Sequence, residues 1–246
     1  MAQYWPVSND KIGFEYKLKR FLQGCGMPAS RAHVYWGGTF DDREKRSLLQ
    51  PSVQKAWPAL DSVLQELEAA GDDLQAFLGF DQKYYLPDNI LTKVDHTSMA
   101  HAIEVRPPFL DHRIVEFAAS LPESLKIQGS RQKVILRNLM RGKLAPEILH
   151  RKKIGFDIPT HDWFRGPLRP LLEDAVAFAA AEHSDFFHLP SIRAHVQAHL
   201  ERRANLGYHL WGLMILFFWM KKWRIQTRVP AQAAPRAMEN VFTSTL

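Results

Sequence analysis

Residues 86–122, LPDNILTKVDHTSMAHAIEVRPPFLDHRIVEFAASLP, decide how the chain is read. Ile90, Leu91, Val94 and Met99 recur at helical spacing, which predicts a helix opening at Pro87 and running to about Ala102 with these four on its apolar face. Asp88, Thr92, Asp95 and Met99 also fall at helical spacing, so polar groups share a face with a packing residue. Pro107 and Pro108 cannot continue a helix, because each ring fixes φ and removes the backbone donor. Glu104 and Arg106 then alternate in an extended turn, which aims both side chains the same way. Asp111 caps a second helix in which Ile114, Val115, Phe117 and Ala118 are expected to be buried, and Pro122 ends it. On residue types alone, these polar groups read as helix caps and structural ion pairs.

Working outward, most of the chain reads as helix. Phe14, Leu18, Phe21 and Leu22 form one stripe. Asp41 with Glu44 has the form of a capping box for a short helix ending near Leu49. Residues 58–70 place Leu60, Val63, Leu64 and Leu67 on one side, with Gly71 as the stop. A helix over 72–86 is expected to end at Pro87. Further helices are expected around Val134–Leu139, from Pro146 to the Arg151–Lys153 run, and over 163–164, 168–181, 191–202 and 207–223. Strand signals are nearly absent, so any sheet must be minor. Residues 227–246 are rich in Ala and Pro with little periodicity and are expected to form a disordered tail.

Composition narrows the classes. The 246 residues are 46% apolar and 24% charged, ordinary for a globular chain and incompatible with global disorder or a collagen-like repeat. The single cysteine, Cys25, cannot form an intrachain disulfide, which points to an intracellular, cytoplasmic protein. No basic-then-apolar leader opens the chain. The longest apolar run, 210–220, is shorter than the roughly 20 residues a bilayer span needs, so no membrane association is expected. Net charge is +6, and it is local: between Lys126 and Lys153 stand nine basic residues and one acid, a window of +8. Such a field suits a polyphosphate or a nucleic acid. The window contains no Phe, Tyr or Trp on which bases would stack, so a nucleic-acid partner is not expected. His195 and His199 have a ligand-like spacing of four, but no HExxH is present and they read as ordinary surface histidines, so no metal site is assigned to this chain.

As a whole, residues 86–122 resemble the synthetase domain of glutamine-dependent asparagine synthetases, whose pattern there is close to LPDxxLxKVDRxSMAxxxExRxPFLDxxxVEFAxxLP. The match includes Leu86, Asp88, Lys93, Asp95, Glu104, Arg106, Phe109 and Asp111. It departs at His96, usually Arg, which makes a fixed charge pH-dependent, and at Pro107, usually Val. The likeness continues through GSRQKVILRNLMRGKLAPEILHRKKIGFDIPTHDWFRGPLR (129–169), with Lys133, Arg137, Lys153, Gly155, Phe156, Trp163, Arg165 and Gly166 in register. It extends into the closing helix at Asn205, Gly207, Leu210, Trp211 and Trp219 and covers about 8–223.

The resemblance implies a mainly helical C-terminal portion, about residues 1–226, of an α/β PP-loop synthetase domain that lacks most of the parallel sheet. It implies amide formation on aspartate through β-aspartyl-AMP, with ATP and Mg2+ as the cofactors of the complete enzyme and ammonia drawn from glutamine. Negative charge builds on phosphoryl oxygens in that chemistry, so positioned cations are what it needs. Lys153 stands at the position of the family's catalytic lysine in RxKxGF. Asp95, Glu104, Arg106, Lys133 and Arg137 are the candidates for the substrate and ATP cleft; Lys133 and Arg137, four apart, are expected on one helix face, where they line that cleft or brace it. SGGxDS, GEGxDE and an N-terminal cysteine nucleophile do not occur in this sequence. The expected partners are therefore the N-terminal synthetase and glutaminase portions or a chain supplying them, and the resemblance also admits a homodimer. Three readings of the isolated chain stay open: a fragment inactive by itself, a non-catalytic helical module or split subunit that pairs with a synthetase-like partner, and an amidotransferase acting on another carboxylate.

Overall fold

The computed structural model describes residues 14–54, 61–151 and 158–227. Among them the chain is mainly helical, and its sheet is a single two-stranded antiparallel pair, Ile127–Gln128 with Arg131–Gln132, in which Ile127 faces Gln132. The expectation of a helical chain with a minor sheet holds. Two compact units form. One comprises residues 1–26, 35–59 and 159–246, and the other 27–34 with 60–158.

The first unit owes its core to three helices, Arg169–Glu182, Leu189–Leu200 and Gly207–Trp223. Leu172, Ala175 and Ala179 recur at intervals of three and four and are fully buried, so one face of the first helix is closed. Its alanines leave room for Leu210, Leu213, Met214, Phe217 and Met220 of the last helix, in a cluster that also takes in Phe164, Phe187 and Ile192. Phe187 meets Phe217 edge-on at 5.1 Å. The last helix ends with Arg224 in the left-handed region (φ 50°), and the Ile225 N–H returns to the Met220 carbonyl at 3.0 Å.

The Asp42–Leu48 helix starts with the expected capping box: the Glu44 N–H donates to Asp41 at 2.7 Å and the Asp41 N–H to Glu44 at 2.8 Å. Its far end is held where Leu49 and Phe187 form an isolated bridge. Of the expected stripe near the start, Phe21 and Leu22 are exposed, Phe21 stacking on Trp36 at 6.0 Å. The side chain of Phe14 is outside the described residues. So is the proposed tail beyond Thr227, whose hydroxyl lies 2.8 Å from His183 Nδ1.

In the second unit the apolar interior is thin, with Leu64, Leu67 and Val134 its large buried aliphatic residues. Asp73 caps the Leu74–Phe80 helix, accepting the Ala76 N–H at 2.8 Å. Glu66 on Asp61–Ala70 takes bonds from Lys83 and Tyr84, both at 2.5 Å, and these hold its carboxyl below the ordinary range.

Two sequence expectations fail in this unit. Pro87 does not separate two helices. The chain passes from Leu74–Phe80 through a π-helical segment, Asp81–Leu91, directly into Thr92–Met99. The wider π turn moves the carbonyl that the proline ring would strike. The freed Pro87 carbonyl takes both the Thr92 N–H and the Thr92 hydroxyl, the latter at 2.9 Å. This shift also alters the spacing that put Asp88 and Thr92 on one α-helical face with Asp95.

The second failure is burial. The Asp111-capped helix forms as His112–Ser120, but Ile114, Phe117 and Ala118 are exposed and Val115 is half-buried. Val94 and Met99 are exposed as well. The amphipathic helices form, and among the described residues these side chains stay open to solvent.

Candidate functional site

The described candidate residues stand on several separate elements of the chain. Lys153, Gly155 and Phe156 lie outside the described residues. Asp95 is exposed near the start of Thr92–Met99, within the helical run that continues from the π segment. Glu104 and Arg106 do meet: Arg106 Nε donates to Glu104 Oε1 at 2.6 Å from a stretch outside any helix or strand, as their alternation predicted. Both are open to solvent, which limits the pair's contribution to stability.

Lys133 and Arg137 do not share a helix face, a correction to the spacing argument. Lys133 precedes the Val134–Leu139 helix in the left-handed region (φ 57°), with no capping side-chain bond. A lysine there opposes two local preferences at once: backbone sterics disfavour that φ, and a cation meets the positive end of the helix. Arg137 is half-buried and braces backbone, donating from Nε to the Gln132 carbonyl at 3.0 Å and from its guanidinium to the Leu149 carbonyl. Its two bonds tie the hairpin to the Pro146–His150 helix, so it shapes this region from beneath.

Charge pairing separates two stretches of this unit. Of the four Lys and Arg residues between Asp61 and Glu123, Lys83, Arg106 and Arg113 are paired with carboxylates. The Arg113 guanidinium holds the Asp111 carboxyl below its usual range. By contrast, Lys126, Arg131, Lys133, Arg137, Arg141, Lys143 and Arg151 have no carboxylate partner among the described residues. Lys126 bonds to Gln75 at 2.7 Å and Arg131 to Asn138 at 2.8 Å, both neutral groups that leave the cationic charge uncompensated. Among the described residues, no group of three or more His, Cys, Asp and Glu side chains could hold a metal ion.

His199 is the polar residue that sequence reading misplaced. It is fully buried, not a surface histidine. Its Nε2 lies 3.0 Å from the His161 carbonyl, and its Nδ1 accepts the Leu206 N–H at 3.0 Å. An accepting Nδ1 requires the neutral tautomer protonated at Nε2. Burial, followed by the nearby Arg165 guanidinium, pushes the pKa down to about 4. Arg165 Nε donates to the His199 carbonyl at 2.9 Å and closes the end of Leu189–Leu200. Both ring nitrogens of His199 are engaged, so the His195–His199 spacing is not a ligand pair. The signal was present: His199 follows the buried Ile192 by seven residues, on the same helix face. Gly207 explains itself by contact, since a Cβ there would stand 2.8 Å from the His161 backbone nitrogen.

The model of the asparagine synthase family matches residues 12–224, and the chain belongs to that family. It is similar to a glutamine-hydrolysing asparagine synthetase of Mycobacterium tuberculosis (strain ATCC 25618 / H37Rv), 30% identical over 82% of this chain and 31% of the relative. It is also similar to asparagine synthetase 1 of Bacillus subtilis (strain 168), 25% identical over 55% of this chain and 21% of the relative. Amidase chry2 of Gibberella zeae is 32% identical over 42% of this chain and 16% of its own length. The chain thus spans less than a third of the length of these relatives. No solved structure matches it. Among the described residues, no helix is long and apolar enough to cross a membrane.

Proposed function

We propose that the chain is the cation-bearing C-terminal portion of an ATP-dependent, glutamine-hydrolysing asparagine synthase, acting in the cytoplasm with further synthetase polypeptide. The aspartate side-chain oxygen attacks the α-phosphorus of ATP, the bond to pyrophosphate breaks, and β-aspartyl-AMP forms. Ammonia then attacks the acyl carbon, AMP leaves, and the amine loses a proton. Both steps gather negative charge on phosphoryl oxygens, which fixed cations stabilise. The observation that carries this reading is the run of uncompensated cations from Lys126 to Arg151, leading in sequence to Lys152 and Lys153. Lys153 is the residue assigned to charge stabilisation in adenylation. Asp95, Glu104, Arg106 and Lys133 are assigned to the cleft, and Arg137 supports the backbone beneath it.

The chain alone is expected to be inactive. The test is aspartate-dependent exchange of labelled pyrophosphate into ATP, measured with the chain mixed with the remainder of a relative. Lys153→Ala is expected to lower exchange by about 100-fold. Unchanged exchange would remove the catalytic role and leave the chain as a helical module. A different carboxylate acceptor is the second reading, favoured by the similarity to a protein named an amidase. It predicts exchange driven by another acid and not by aspartate.

A further inference from the structure

The strongest unassigned feature lies between Met99 and Phe117. Within these nineteen residues, Met99, Ile103, Val105, Phe109, Ile114 and Phe117 are all exposed, Phe109 at 64% and Phe117 at 57%. Isolated exposed apolar residues are ordinary on protein surfaces, whereas such a concentration marks an interaction site. The backbone is open in the same place. The N–H groups of Glu104, Val105 and Arg106 make no hydrogen bond among the described residues. Their stretch belongs to no helix or strand, with Glu104 and Arg106 paired and Ile103 and Val105 alternating with them in sequence. A segment outside any helix or strand, with free donors and alternating apolar residues, is open to pairing by an added strand.

We infer that the Met99–Phe117 run is the docking face for the rest of a synthetase, a polypeptide that covers Val105, Phe109 and Phe117 with an apolar surface and pairs with the open backbone at 104–106. The inference rests on the proposed function in one respect, that the chain works with further synthetase polypeptide. The occupant follows from length: 82% of this chain matches only 31% of the mycobacterial relative, so that relative carries more than twice as much polypeptide outside the match as within it. The exposed apolar helix face at Ile215, Trp219 and Trp223 in the other unit lacks the second feature, because its backbone bonds are satisfied within the helix.

The experiment mixes this chain with the remainder of the mycobacterial relative, expressed without the stretch this chain matches, and follows association by sedimentation. Phe109→Asp and Phe117→Asp are compared with Trp223→Asp, each checked for unchanged helicity by circular dichroism. The expected result is association of the wild-type chain, weakened by about tenfold or more in the two phenylalanine variants and unaffected by Trp223→Asp. Equal association of all the variants overturns the docking face, as does no association of the wild type. A wild-type chain that dimerises alone, with the phenylalanine variants monomeric, also overturns it by making a second copy the occupant. Exchange activity separates the two ideas. A bound pair without aspartate-dependent exchange defeats the proposed function and leaves the docking face standing. Full exchange and binding with Phe109→Asp does the reverse.

Discussion

In the unit containing residues 159–227, Phe164, Leu172, Ile192, Leu210 and Phe217 are wholly removed from solvent. In the unit containing residues 60–158, Phe109, Phe117, Ile103, Met99 and Ile148 are each more than half exposed. The first is built around three helices without side-chain caps, Arg169–Glu182, Leu189–Leu200 and Gly207–Trp223, and the second includes shorter helices such as the Asp111-capped His112–Ser120. The first has a helix, Gly207–Trp223, apolar on nearly every side, which gives its neighbours something to pack on. The second has no such central element among the described residues. An apolar stripe specifies which face of a helix seeks cover, and only an apposed layer supplies it.

The contrast is sharpest in its energetic consequences. Phe217→Ala is expected to cost about 3–5 kcal/mol, because a fully buried ring leaves a cavity. Chemical denaturation reads this directly, and a cost near zero would mean the closed core is not closed. The next largest effect is acid lability in the same unit. Unfolded, His199 takes up a proton near pH 6.5; folded, only near 4. The depressed value means its contribution is fully present above pH 6.5 and is lost as pH falls toward 4, by up to about 3 kcal/mol. Urea melts across that range should show the loss, and His199→Phe should flatten the slope even if it lowers stability at pH 7.

Gly207→Ala should cost about 1–3 kcal/mol, since the added methyl meets the His161 backbone and the Thr160 hydroxyl. A thermal melt unchanged by this substitution would show that Gly207 and the Thr160–His161 backbone can move apart freely. In the open unit the sign reverses at Lys133, where Lys133→Gly should stabilise by about 1 kcal/mol through relief of the left-handed backbone. The same variant should reduce pyrophosphate exchange if the lysine serves the cleft. Smallest of all, Phe109→Ala should change the stability of the isolated chain by less than about 0.5 kcal/mol. A large loss there would mean that this face is already covered.

Local chemistry was legible where the cause was local. The Asp41–Glu44 box, the Asp111 cap and the Glu104–Arg106 pair each depend on residues within three positions, and each formed as read. Pro87 misled because the rule against proline in helices assumes α geometry, and a π segment relaxes it. His199 misled because burial depends on what packs against Leu189–Leu200, while its polarity suggested solvent. For Arg137 the sequence left lining and bracing both open, and its bond to the Leu149 carbonyl, twelve residues away, is a contact no local pattern shows.

By itself, the order of residues determined the capped helix starts at Asp41 and Asp111, where positive charge accumulates, and the family likeness from the LPD stretch to the closing tryptophans. Helix starts and charge runs arise from neighbours along the chain. Only the tertiary structure decided which apolar faces are covered, which cations are neutralised, and which histidine is held neutral. Those outcomes depend on contacts between segments far apart in the chain, whose free energies no local pattern records.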